Sequence, residues 1–551
     1  VKLRDYQHEA ALAILREWDM VPSTLVVMPT GCGKTILFAD VIRRMFPLKA
    51  IVLAHREELI FQARDKIQAV TGFDVEIEMA DARACMGGGL FDGPQVIVST
   101  IQTQTAGGDG GGRMGKFDPY EFGVLIVDEA HHAVADTYRR AIAYYRTNPD
   151  LRVLGVTATP DRADEMALGQ VYETVAFDYE LHNAIRDGWL VPIEQQLVAV
   201  EGLDFSGVRT TAGDLNGADL AAVMEYEKNL HGIADPTLQI IGDRRALVFA
   251  ASVAHAERLA DIFNRHRPGT AGWLCGKTEK EDRRRILADF AAGRLRIVVN
   301  VGVLTEGFDD PGVEVIVMGR PTKSRSLYAQ MVGRATRPLP GLVDGLPDPQ
   351  TRCDAIARSA KPACLVVDFV GNAGRHKLVS TADILGGNVS EAAAAAALAQ
   401  ARATGKPVRM DDALTDAQAE IDERHALEEA RRARIIGKAT FRTSKLDPFD
   451  ILGLQPVAAR GWDVGKQLSE KQRGLLAKQG IDPDGLPYTQ ARQIIGELFR
   501  RWDGDLCSFK QAKLLRKYGY DANVSRTEAK GIIDRIVAAG WRRPAEEAAF
   551  A

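Results

Sequence analysis

The chain has 551 residues, of which 46% are hydrophobic and 26% charged, with a formal net charge of -4. That length suggests two to four domains, and the composition excludes wholesale disorder, a collagen-like fibre and a coiled-coil rod. Lys and Arg total 70 against 74 Asp and Glu, so overall charge names no partner. No apolar run approaches the roughly 20 residues of a bilayer span, and the amino terminus lacks the apolar core of a secretion signal. A soluble cytoplasmic protein with no membrane partner is expected. The six cysteines, Cys32, Cys85, Cys275, Cys353, Cys364 and Cys507, form no C-x-x-C pair. They read as reduced thiols, with no structural metal.

Residues 25–28, 50–53, 96–98, 124–127 and 153–156 are continuous apolar runs separated by helical stretches. Strands buried on both faces read this way, which predicts a parallel sheet covered by helices. Glycine clusters at 87–89 and 107–112 predict surface loops. A second series of strands is expected at 246–249, 296–299, 313–317 and 364–367, whereas residues 193–240 carry no strong strand series. The simplest reading is two α/β lobes, residues 1–192 and 193–385. Residues 386–458 are rich in Ala, Glu and Arg, including six consecutive alanines at 392–397, and predict a helical or flexible connector.

Residues 459–545 contain an internal repeat. Ser469-Glu470-Lys471-Gln472 leads to Leu475-Leu476 and Gly480; thirty-nine residues on, Ser508-Phe509-Lys510-Gln511 leads to Leu514-Leu515 and Gly519. Ala491, Ile494 and Ile495 match Ala529, Ile532 and Ile533, and Trp502 matches Trp541. Each copy reads as helix, glycine-ended turn, helix. Two copies are expected to pack into one small all-α domain, with both tryptophans in its core.

Pro29-Thr30-Gly31-Cys32-Gly33-Lys34-Thr35 follows a strand and precedes a helix. Amides at a helix amino terminus point outward and the dipole is positive there, so such a turn can cradle phosphates. Thr30, Gly31, Cys32, Gly33, Lys34 and Thr35 are the nucleotide-binding candidates; Lys34 would reach the β and γ phosphates and Thr35 would hold Mg²⁺. Met28 stands where many such loops carry their first glycine. Asp128-Glu129-Ala130-His131 closes the strand at 124–127. A carboxylate at the end of a neighbouring strand can share the Mg²⁺, a role for Asp128, and Glu129 could orient or deprotonate the attacking water.

With these motifs the chain resembles a superfamily 2 helicase, whose two RecA-like lobes close on ATP. The resemblance covers about residues 1–380. Asp128-Glu129-Ala130-His131 resembles motif II, the DEAH box, and Thr157-Ala158-Thr159 resembles motif III, so His131, Thr157 and Thr159 are implied to couple hydrolysis to lobe movement. Leu3-Arg4-Asp5-Tyr6-Gln7 resembles the adenine-recognising segment, implicating Arg4 and Gln7. The segment at 54–59 resembles motif Ia, that at 99–102 a neighbouring strand-contacting segment, and Thr305-Glu306-Gly307-Phe308-Asp309 motif V. From these, Arg56, Thr100, Gln102, Thr305 and Asp309 are implied to line a nucleic-acid groove across the lobe tops. Gln330, Gly333, Arg334 and Arg337 match motif VI. The wording is similar to the RadD-type and XPB-like DNA helicases of bacteria and phages, which implies a cytoplasmic setting. RadD-type proteins usually carry a cysteine-rich zinc module after the lobes; the repeat stands there instead.

The chemistry of motif VI stands without the resemblance. Phosphoryl transfer leaves charge on the γ oxygens, and an arginine from another lobe stabilises it. Arg337 is expected to be the direct finger and Arg334 a phosphate or inter-lobe contact. His132 is expected to be structural. Residues 461–543 hold 16 Lys and Arg against 10 Asp and Glu, a local net of +6, and Lys471, Arg473, Lys510, Lys513, Arg516 and Lys517 are candidates for nucleic-acid contact. The reading is an ATP-dependent, Mg²⁺-using DNA helicase or translocase, with a clamp or remodeller, a restriction-type motor and an RNA helicase as rivals.

Overall fold

The structure, a computed structural model, describes residues 2–80, 82–84, 93–107, 113–158, 160, 162–211, 213–373, 376–385, 390–435, 447–538 and 541. Cys85, the glycine cluster at 87–89, residues 108–112 of the second cluster, and Thr159 lie outside the described residues. The chain separates into two compact units, one of residues 1–15, 23–161 and 175–432, the other of residues 16–22, 162–174 and 433–551.

The first unit holds two seven-stranded sheets. In spatial order the first contains Val75–Glu78, Val96–Thr100, Lys49–Ala54, Phe122–Asp128, Arg152–Thr157, Ser23–Val27 and Thr174–Asp178. Its five central strands are almost entirely buried and pair in parallel, as expected for apolar runs covered on both faces. Crossover connections put the carboxyl ends of these strands on one edge, where open α/β sheets bind ligands. The strand ending in Asp128 is not the immediate neighbour of Ser23–Val27. Arg152–Thr157 lies between them, which brings Thr157 into the same edge.

The second sheet runs Ala271–Leu274, Ile297–Asn300, Ala246–Phe249, Val315–Met318, Cys364–Asn372, Ile193–Asp204 and Val408–Arg409. Two expectations are corrected here. Residues 193–204 form a twelve-residue strand parallel to Cys364–Asn372. Their mixed polar and apolar side chains give a half-exposed strand, which lacks the continuous apolar run of the central ones. The connector is more than helix and linker. Between the helices Glu391–Thr404 and Met410–Ile435, Val408–Arg409 adds an antiparallel edge to that strand.

The second unit is helical. Ser469 and Gln472 form a capping box on the helix Glu470–Gln479, and Ser508 and Gln511 form the same box on Phe509–Lys517. The partner helices are Tyr488–Asp503 and Arg526–Ala538. One core holds side chains of both copies, including Leu476, Ile494, Ile495, Leu515 and Ala529. Arg501 is buried at the junction, donating to the carbonyls of Cys507 and Ala522. Trp502 packs against this core, but Trp541 is 56% exposed, contrary to expectation; beyond Ala538 only residue 541 is described, its amide bonded to the Ile536 carbonyl.

Residues 16–22 and 162–174 belong to this unit through polar ties. Arg492 meets Glu17 at 2.6 Å, Arg460 meets Glu165 at 2.9 Å, and Lys466 donates to the carbonyls of Tyr172 and Glu173 at 2.8 Å each. Gly169 lies under Trp462: a Cβ there would stand 2.7 Å from the Trp462 carbonyl oxygen. Alanine normally favours a helix over glycine by roughly 0.5–1 kcal/mol. Gly169→Ala is instead expected to destabilise this unit by about 1–3 kcal/mol, the usual cost of overpacking, seen as a lower denaturation midpoint in urea.

Candidate active site

The strand Ser23–Val27 delivers the loop at 29–33 to the carboxyl edge of the first sheet. Gly31 and Gly33 take φ of 91° and 76°, a region that favours glycine. The loop is braced from behind. Tyr6 Oη and Gln7 Nε2 each donate to the Cys32 carbonyl at 2.9 Å, and a Cβ on Gly33 would lie 2.5 Å from Gln7 Nε2. Arg4 donates to Asp344 at 2.9 Å and stands 4.6 Å over the Trp189 ring, which also carries Arg352 at 4.0 Å. Tyr6 stacks on Tyr179 at 4.8 Å. Burial pushes the Cys32 thiol up to about 12, so its side chain is filler and only its backbone belongs to the loop's surface.

Lys34 Nζ lies 3.4 Å from Glu129 Oε1. Asp128 Oδ1 accepts the Glu129 amide at 3.0 Å. Glu129 itself has φ 48°, a left-handed conformation costing a non-glycine residue roughly 1–2 kcal/mol. His131 Nδ1 sits 3.1 Å from Thr157 Oγ1 and 3.5 Å from Glu129 Oε2. Desolvation and the neighbouring Glu129 raise the Asp128 carboxyl to about 6. Glu129 is desolvated too, but Lys34 and His131 outweigh this and hold it below the usual carboxylate range. Its Oε2 is buried without a hydrogen-bond partner. Asp128, Glu129 and Thr35, the last half-buried in the first turn of the helix Lys34–Arg44, offer hard-oxygen donors of the kind that suit Mg²⁺.

The second lobe meets this loop through the end of the helix Arg325–Gly333. A Cβ on Gly333 would stand 2.7 Å from Thr30 Cβ, and Arg337 Cγ lies 3.2 Å from where a Cβ of Gly31 would be. Gln330 is buried in the last turn of that helix. Arg337 Nη1 donates to Asp309 at 2.6 Å. Arg334, its guanidinium largely buried, donates to the Thr305 carbonyl at 2.6 and 3.1 Å and to the Phe308 carbonyl at 2.6 Å. Burial lowers its pKa to about 10.

Residues 1–162 match the family described as "Type III restriction enzyme, res subunit", and residues 233–338 match "Helicase conserved C-terminal domain". These two matches, in this order, support the resemblance to a superfamily 2 helicase. It is 29% identical over 410 residues to a protein of Saccharomyces cerevisiae named as the ATP-dependent helicase IRC3, covering 70% of this chain and 53% of that one. A protein of Schizosaccharomyces pombe, named as the mitochondrial ATP-dependent helicase irc3, is 29% identical over 389 residues, 69% and 59% of the two chains. The DNA 3'-5' translocase XPB2 of Sulfurisphaera tokodaii is 25% identical over 378 residues, 61% and 79%. The chain thus spans little more than half the length of the two yeast relatives. No helix among the described residues is long and apolar enough to cross a membrane.

The helicase motifs expected to contact a nucleic-acid strand are only partly open to one. Thr100 is buried and caps the helix Ile101–Thr105, accepting the Thr103 amide. Thr305 is buried as well, and its carbonyl accepts from Arg334. Asp309 is held by Arg337. Gln102 is exposed and donates to the His55 carbonyl at 3.2 Å. Arg56 reaches the Gly302 carbonyl at 3.3 Å and Glu306 at 2.9 Å.

Glu306 is a site residue that the sequence reading left unassigned. It is 2.6 Å from His55 Nε2, and His55, His132 and Glu306 bring their ligand-type atoms within 4.8 Å of one another. His132 therefore has the neighbours that sequence spacing concealed. Lys66 is a second omission; burial and Arg337 lower its pKa, with Asp309 and Asp128 as opposing neighbours. Lys66 carries no sequence signal of its own, and Glu306, although inside the motif V segment, has its partners far along the chain.

Two outcomes follow from these contacts. Gly333→Ala must push the motif VI helix off Thr30, so kcat for ATP hydrolysis is expected to fall at least about tenfold, roughly 1.4 kcal/mol of barrier, with far-ultraviolet circular dichroism unchanged. For Glu306, desolvation is outweighed by His55 and Arg56, which hold the carboxyl down at about 2. A carboxyl whose folded pKa is depressed contributes stability above its unfolded pKa and loses it as pH falls. The denaturation midpoint of Glu306→Gln is therefore expected to lie below the parent's at pH 7, with the gap closing as pH falls from 4.5 toward 2.

Proposed function

We propose that the protein is a DNA helicase or translocase that couples ATP hydrolysis to movement along DNA. The observation that supports this best is the seating of motif VI on the P-loop, with Gly333 against Thr30 and Arg337 alongside Gly31. Such an arrangement lets a second lobe sense whether the loop is occupied. Lys34 and the loop amides would bind the phosphates, and Thr35 and Asp128 would hold Mg²⁺, which when bound neutralises charge on them. Glu129, kept ionised by Lys34 and His131, takes the proton of the attacking water. Arg337 changes partner, leaving Asp309 to stabilise charge on the transferred group. Because Asp309 belongs to motif V, that exchange frees it for the strand-facing side, and the grip on the polymer follows the state of the ATP site.

DNA is favoured as the polymer because the relatives include a protein named as a DNA translocase. A restriction-type motor that moves on duplex without separating it is a second reading, favoured by the match of residues 1–162 to the res-subunit family. Steady-state ATP hydrolysis with no polymer, single-stranded DNA, duplex DNA or RNA, beside Glu129→Gln, tests the proposal. Stimulation by DNA, with kcat lowered by about 10²–10⁴ in the variant as for loss of a general base, is expected. Stimulation by RNA alone would overturn the DNA reading. Hydrolysis driven by duplex without unwinding of a tailed substrate would select the restriction-type motor.

A further inference from the structure

The two repeat helices in the second unit share one register, since each begins with the same Ser–Gln capping box. Lys471 therefore aligns with Lys510, Gly474 with Lys513 and Lys478 with Lys517. In the first copy Lys471 is engaged within the unit. Its Nζ donates to the Asp19 carbonyl at 2.6 Å, at the end of the helix Asp5–Met20, where unpaired carbonyls carry partial negative charge. In the second copy the same strip faces solvent. Lys510, Lys513 and Lys517 are exposed and recur at i, i+3 and i+7, opposite the buried Phe509, Ala512 and Leu515. None of the three has an ion-pair partner among the described residues. Two arginines of the unit do have one: Arg473 pairs with Asp484, and Arg516 lies 3.5 Å from Asp521.

We propose that this lysine strip on the helix Phe509–Lys517 is a docking surface for the phosphate backbone of duplex DNA. It is a second contact to the polymer, carried outside the two-lobed core, and it rests on the reading of the chain as a DNA motor. Seven residues of helix rise about 10 Å. One strand of duplex presents a charge about every 3.4 Å along the axis, so the strip faces about three phosphates. Lysines act as point charges on flexible stems and read no base. Gln511, the residue here able to read a base edge, is engaged in capping Ser508. The contact gives hold without sequence preference: a repeat surface that secures the unit's own helix end in one copy grips an external anion in the other.

The test is equilibrium binding of the full chain to a fluorescent duplex, without nucleotide, across a salt series. The triple variant K510Q/K513Q/K517Q is compared with K510R/K513R/K517R, which keeps the charge. Each lost phosphate contact lowers the slope of log affinity against log salt by about 0.9. The glutamine variant should therefore lose about two to three in slope and bind at least tenfold more weakly at low salt, while the arginine variant matches the parent. Parent-like slope and affinity in the glutamine variant would overturn this inference and leave the motor reading standing. A parent that neither binds duplex nor hydrolyses ATP faster with DNA would overturn both. Loss of binding to polyglutamate with DNA affinity intact would reassign the strip to an acidic protein partner and overturn the DNA assignment.

Discussion

The approach of the Gly333 backbone to Thr30 is the constraint on which the rest of the site depends. With no side chain on Gly333, the end of the helix Arg325–Gly333 reaches the loop at 29–33, the candidate phosphate-binding turn. Arg337 follows along Gly31, and Arg334 turns inward to hold the Thr305 and Phe308 carbonyls. From there Glu306 returns to the first lobe through His55 and Arg56, while Gln62 donates to the Gly307 carbonyl at 2.7 Å. The contacts form a closed path from loop to motif VI, to motif V, and back to the strand at 49–54 and the helix after it. Packed, hydrogen-bonded elements of this kind shift between discrete arrangements rather than deform gradually.

The path is unusually rich in buried charge, and its chemistry explains why that is tolerated. A desolvated charge is costly unless paired and hydrogen-bonded. Arg334 has two carbonyl acceptors, Glu306 has an imidazole and a guanidinium, and Glu129 has Lys34. Glu129 also has His131 3.5 Å from its second oxygen, and its backbone is left-handed. Left-handed strain of this kind on a non-glycine residue clusters at functional sites, in keeping with the role proposed for Glu129.

In the helical unit one local grammar serves two ends. The same Ser–Gln box and glycine-ended turn build both copies, yet Lys471 is tied to a backbone carbonyl and Lys510 is not. Identical local codes produce identical helices; what each helix touches is set by the segments that pack beside it.

Much of the catalytic edge was legible in the sequence because it is local. Phosphate loops and strand-end carboxylates need particular residues at fixed spacing, and apolar runs report buried parallel strands directly. The strand at 193–204 was not legible, because a half-exposed strand mixes polar and apolar residues and takes its place only from pairing with Cys364–Asn372. Nor were the partners of Glu306 and His132, the inward turn of Arg334, or the burial of Thr100 and Thr305. The sequence by itself determined which residues could do chemistry and which elements would present them. Tertiary structure alone decided which charges face each other, because pairing in a low-dielectric interior depends on distances of a few ångströms between segments that the chain order keeps far apart.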